Sequence, residues 1–145
     1  IFNKSITSAL HSRRRNVLIS GSSQSQTHKL MPRFYIIFAG KDILLDRGAG
    51  EPIIGFIAPR LVGADSEIDA VNRAKIKLLK QWKLDFNRDN KSGTPHLEPL
   101  VVIPIKNPFK RMAFDNELYL YRDSDEREMH IQNCRNAIKR WFRIR

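Results

Sequence analysis

Five consecutive residues, Phe34-Tyr35-Ile36-Ile37-Phe38, constrain the fold more than any other feature of this chain. Aromatic and β-branched side chains suit a pleated, buried surface, so Arg33 to Ala39 reads as a buried strand. Asp46-Arg47-Gly48-Ala49-Gly50-Glu51-Pro52 then has turn chemistry, with glycines that accept positive φ. Ile53 to Val62 returns as a second long strand, and the two together predict a hairpin.

A capped helix follows. Ser66 stands where its hydroxyl can accept from backbone donors, and Asp69, three residues on, takes the capping-box position. Ile68, Val71, Ala74, Leu78 and Trp82 recur at steps of three or four and predict a buried stripe, while Arg73, Lys77 and Lys80 share another side. Asp85 to Pro95 is polar and reads as a loop. Leu97 to Ile105 reads as a strand in which Pro99 and Pro104 each remove a ladder donor, which predicts an edge position or prolines at the strand ends. Asn107 to Met112 is a connector, and Glu117 to Tyr121 is long enough only for a short strand. A final helix is capped by Asp123 with Glu126 at its third position. Its apolar stripe is Ile131, Cys134, Ile138 and Trp141, and Arg135, Lys139 and Arg143 form a basic stripe. No internal repeat occurs at a fixed period. The order β-β-α-β-(β)-α therefore predicts an α+β fold, a small and mainly antiparallel sheet with helices on one face.

The segment before Met31 has a different character. Residues 1–30 are rich in serine, include the run Arg13-Arg14-Arg15 and contain no acid, so they read as a disordered basic leader beside a single α+β domain over residues 31–145. Met31-Pro32 resembles a natural start, which makes an added, non-native leader the favoured reading. An organelle transit peptide and a phosphate-touching arm are the alternatives. Lys4, Arg13, Arg14, Arg15 and Lys29 account for five of the eleven net positive charges, leaving six on the rest of the chain.

With 41% hydrophobic and 28% charged residues, the composition is globular. Cys134 is the only cysteine, which excludes an internal disulfide and any all-cysteine metal site. It fits a reducing compartment, and with no recognisable signal peptide the expected location is the cytoplasm. The longest nearly apolar run, Leu97 to Ile105, holds Glu98 and two prolines, so no membrane-spanning helix is expected.

Candidate chemistry is sparse. His11 and His28 fall in the leader. His130 and Cys134 are four apart on one helix, yet two ligands do not close a tetrahedral zinc site. His96 and Glu98 share one side of a strand, a spacing without specificity. Gly48-x-Gly50 lacks the lysine and the following helix of a phosphate loop. Asp123, Asp125, Glu126 and Glu128 lack the glycine and terminal glutamate of a calcium loop and are explained by helix capping. No catalytic residue, metal or cofactor is assigned.

The strand Gly55-Phe56-Ile57-Ala58-Pro59-Arg60-Leu61-Val62-Gly63-Ala64, with Asp65, Glu67 and Ala70 opening the next helix and Asn90, Ser92 and Pro95 leading to the strand from Leu97, resembles an uncharacterised family of short bacterial proteins. The resemblance covers roughly residues 33 to 105, with Pro59 and Gly63 departing from the family pattern. It implies a compact α+β fold and no established activity. The order of elements also resembles small antitoxin domains of the HicB-like class, an analogy of order alone.

The expected function is that of a small non-catalytic binding module with electrostatic affinity for nucleic acid or an acidic protein. The residues assigned to it are Arg73, Lys77, Lys80, Arg135, Lys139, Arg143 and Trp141. The last residues interleave cations with aromatics, which suits phosphate contact and base stacking. An antitoxin-like regulatory partner, docking through its final helix, and an enzyme are the alternatives. The basic stripes of the two helices would merge into one patch if the helices lay side by side.

Overall fold

The computed structural model describes residues 31–48, 50–106 and 116–143, with the side chains of 142 and 143 excepted. The leader and the connector read at Asn107 to Met112 lie outside the described residues. Four strands form one sheet, β1 (Arg33–Lys41), β2 (Gly55–Gly63), β3 (His96–Ile105) and β4 (Tyr119–Tyr121), and two helices accompany it, α1 (Glu67–Asp85) and α2 (Ser124–Arg143). The spatial order is β3-β1-β2-β4, and every neighbouring pair is antiparallel. The α+β class, the antiparallel sheet and the order of elements are those read from the sequence.

Strand β1 occupies the centre and is buried on both faces. Its even residues Phe34, Ile36 and Phe38 belong to one core with Phe56, Ala58, Val62, Ala70, Ala74, Leu78 and Trp82. The odd residues Tyr35, Ile37 and Ala39 belong to a second core with Ile57, Tyr121, Ile131, Cys134 and Ile138. Because successive side chains of a strand point to opposite faces, α1 covers one face of the sheet and α2 the other. Here the structure differs from the expectation of helices on one face. Both alternating sets of β1 are large and apolar, and a single helical layer would leave one of them in water.

Chain connectivity explains which helix takes which face. β2 and β3 both run antiparallel to β1, so they are parallel to each other, and parallel strands require a crossover. α1 supplies that crossover and passes over the even residues of β1. An aromatic column fixes it there. Trp82 stacks between Phe56 and Phe86, with ring centroids 5.6 Å apart on each side, and the Arg47 guanidinium lies 5.7 Å from the Phe86 ring centre.

Helix boundaries follow the local signals. Ser66 Oγ accepts from Asp69 N at 3.2 Å, and Asp123 Oδ1 accepts from Glu126 N at 2.8 Å while Glu126 Oε2 reaches back to accept from Arg122 N, one residue before the cap, at 3.2 Å, a variant of the capping box. The apolar stripe of α1 is displaced from its predicted line, however. Ala70, Ala74, Leu78 and Trp82 are its buried residues, whereas Ile68 is 74% exposed. Two alanines at the start of this i, i+4 row let the helix approach the sheet closely.

β3 is an edge strand, as its prolines predicted. Pro99 and Pro104 are five residues apart and would ordinarily point their nitrogens to opposite sides of the strand. A bulge prevents this, since Val101 opposes Ile37 and Pro99 opposes Phe38, with Leu100 as the extra residue. Both prolines then oppose even residues of β1, Phe38 and Phe34, and fall in the same kind of ladder pair.

Candidate nucleic-acid interface

Residues 70–84 of α1 contain Arg73, Lys75, Lys77, Lys80 and Lys83 and no acid. One side of the helix is committed to the core, which confines these cations to the remaining circumference. Arg73, Lys77, Lys80 and Lys83 are exposed and Lys75 is half-buried. None makes an ion pair among the described residues, where Arg127 with Glu128, 3.2 Å apart, is the recorded pair. Arg73 is partly fixed, donating from Nη1 to Gly63 O at 3.4 Å. Lys75 and Lys83 were not singled out in the sequence, although the acid-free interval from Ala70 to Leu84 is visible there.

The second predicted stripe lies elsewhere. Arg135 and Lys139 are exposed on α2, across the sheet from α1. The two basic stripes therefore do not merge side by side, because the sheet stands between the helices that carry them. Trp141 is half-buried and packs against the second core. The side chains of Phe142 and Arg143 lie outside the described residues, and Met129 is exposed.

Arg60 is the buried cation that the sequence reading passed over. The alternation Phe56, Ala58, Arg60, Val62 places it on the inner, α1-facing side of β2. It is 7% exposed, and its guanidinium donates to Pro59 O at 2.6 Å, Glu117 O at 3.1 Å, Asn116 O at 3.0 Å and Gln81 Oε1 at 2.5 Å. A planar fork of donors satisfies several carbonyls at once, so Arg60 joins β2, α1 and the approach to β4.

The remaining candidates have structural partners. His130 Nε2 lies 3.1 Å from Leu120 O, and its ring stacks on Tyr119 with centroids 5.6 Å apart. Cys134 is buried and its carbonyl accepts from Tyr35 Oη at 3.3 Å. His96 and Glu98 are exposed. Gly48 and Gly50 both have φ of 78°, and Asp46 Oδ1 accepts from Gly48 N at 2.8 Å, an Asx turn over residues 46 to 48. Among the described residues no group of three or more His, Cys, Asp or Glu side chains is placed to hold a metal ion, and no helix is long and apolar enough to cross a membrane.

No protein-family model, curated protein or solved structure matches the chain. The resemblance of roughly residues 33 to 105 to a family of short bacterial proteins therefore finds no support in these comparisons.

Proposed function

We propose that this protein is a small non-catalytic binding module that engages nucleic acid electrostatically through the outer side of α1. The observation that carries this reading is the acid-free interval of α1, whose five cations make no ion pair among the described residues. Unneutralised side-chain cations attract polyphosphate, and each contact releases condensed counterions. Arg73, Lys77 and Lys80 are the contacts assigned to phosphate. Arg135 and Lys139, on the far side of the sheet, are assigned no part in the same contact. The cytoplasm remains the proposed location.

A salt titration tests the reading. Binding of the full chain to duplex DNA and to single-stranded RNA is measured between low and physiological ionic strength, for the parent and for Arg73→Gln/Lys77→Gln/Lys80→Gln. The parent should bind at low salt with log Kd linear in log salt, and the variant should reduce the duplex slope by about three contacts' worth, each contributing roughly 0.9. Absence of affinity at low salt, or an unchanged slope, rejects the proposal.

A further inference from the structure

Beside the cations of α1 runs a line of aliphatic side chains that the core does not use. Ile68, Ile76 and Leu79 are 74%, 60% and 37% exposed. At i, i+8 and i+11 they fall within less than a quarter of the helix circumference, at 100° per residue. α1 packs inward on β1, β2 and β3, so this line is a convex ridge turned away from the sheet. Lys83 stands within the same sector, Lys75 about 20° outside one edge and Lys80 about 40° beyond the other, where the exposed Asp69 also lies.

Neither the core nor nucleic acid accounts for the ridge. Phosphates need only the cations, and aliphatic side chains offer no flat surface for a base to stack on. Exposed aliphatics with long-stemmed lysines at their flanks match an anionic lipid surface, where apolar side chains enter the acyl boundary and lysine heads remain with the phosphates. The convex form suits a plane better than it suits a partner helix that would need a groove to receive it. We infer that α1 is also a peripheral docking ridge for anionic membrane surfaces, inserting Ile68, Ile76 and Leu79 while Lys75, Lys80 and Lys83 contact lipid headgroups. The inference is independent of nucleic-acid binding, although Lys80 serves both.

Sedimentation of the full chain with phosphatidylcholine vesicles, with and without about 30% phosphatidylserine, tests the ridge. The parent should sediment with the anionic vesicles and stay in solution with the neutral ones. Ile68→Gln/Ile76→Gln/Leu79→Gln should lower anionic-vesicle partitioning by about tenfold and leave duplex DNA affinity unchanged, which separates this inference from the phosphate reading. The residues are solvent-facing, so unchanged circular dichroism is expected. In a second measurement, the additional fluorescence of an Ile76→Trp variant should shift to the blue on anionic vesicles. Failure of the parent to sediment, equal partitioning of the triple variant, or absence of the blue shift overturns the inference. Binding to an acidic protein without binding to vesicles would overturn it equally.

Discussion

Arg60 and Gln81 meet through a side-chain hydrogen bond of 2.5 Å from Arg60 Nη2 to Gln81 Oε1, and both donate to the Asn116 carbonyl, at 3.0 Å and 2.7 Å. One carbonyl on the approach to β4 thus receives donors from β2 and from α1. Guanidinium bonds to carbonyls are stronger than neutral ones, and the Arg60 bond to the Pro59 carbonyl is buried, so leaving that carbonyl without its donor costs more than the net worth of the bond.

Replacing Arg60 should therefore cost far more than a surface arginine would. Arg60→Met is expected to lower unfolding stability by about 2–4 kcal/mol, read from the midpoint of urea denaturation. Arg60→Lys should recover only part of it, because an ammonium cannot reproduce the fork that reaches Asn116, Glu117 and Gln81 together. A loss under about 0.5 kcal/mol in the methionine variant, typical of a surface site, would show that the cluster is not a structural joint.

Gly55 faces Tyr121 across the β2–β4 pair, and a Cβ at Gly55 would meet the Tyr121 hydroxyl and lie 2.6 Å from the Gly40 carbonyl oxygen. Gly55→Ala should destabilise by about 1–3 kcal/mol through overpacking. Trimming the ring in Gly55→Ala/Tyr121→Leu should not restore stability, because the Gly40 carbonyl is backbone and cannot retreat. Thermal unfolding of the two variants beside Tyr121→Leu alone gives the comparison.

The loop after α1 depends on one buried amide. Asn87 Nδ2 donates to Gly93 O at 3.0 Å and Asn87 Oδ1 accepts from Ser92 N at 2.9 Å, while Trp82 Nε1 donates to the same Gly93 carbonyl at 2.9 Å. Asn87→Ala removes two of these bonds and should cost about 1–3 kcal/mol. Amide exchange should accelerate at Ser92 and at Leu44, whose N–H donates to Ser92 O at 3.0 Å. Unaltered protection at both amides would contradict this account of the loop.

Pro99 and Pro104 both fall where an edge strand gains by lacking donors. Proline on an edge blunts strand addition by other chains, and the bulge at Leu100 brings two prolines of opposite sequence parity into the same kind of pair. Pro99→Thr/Pro104→Thr should retain the fold while raising self-association, measured by light scattering as a function of concentration. If the variant instead unfolds or shows no added association, the prolines serve the ladder geometry and not edge protection.

Much of this protein was legible along the chain. The strand at Phe34 to Phe38, both helix N-termini, the turn at Gly48 and Gly50 and the edge character of β3 follow from signals spanning a few residues, such as β-branching, a hydroxyl or carboxylate cap, or a missing N–H. Periodicity also located the buried stripe of α2. It was less accurate for α1, where Ile68 was placed in the core. A step of three or four defines a band on a helix but not which edge of that band meets the sheet, and the small Ala70 and Ala74 decided the contact.

What tertiary structure alone decided is the distribution of the two helices between the faces. Local patterning determines the apolar side of each element, but the face that receives a helix depends on the crossover from β2 to β3 and on the need of β1 to bury Phe34, Ile36 and Phe38 on one side and Tyr35, Ile37 and Ala39 on the other. That same choice separates Arg73, Lys77 and Lys80 from Arg135 and Lys139. The alternation within β1 and β2 marks both faces for burial and sets Arg60 in line with Phe56, Ala58 and Val62, but which helix covers which face depends on contacts between residues far apart in the chain.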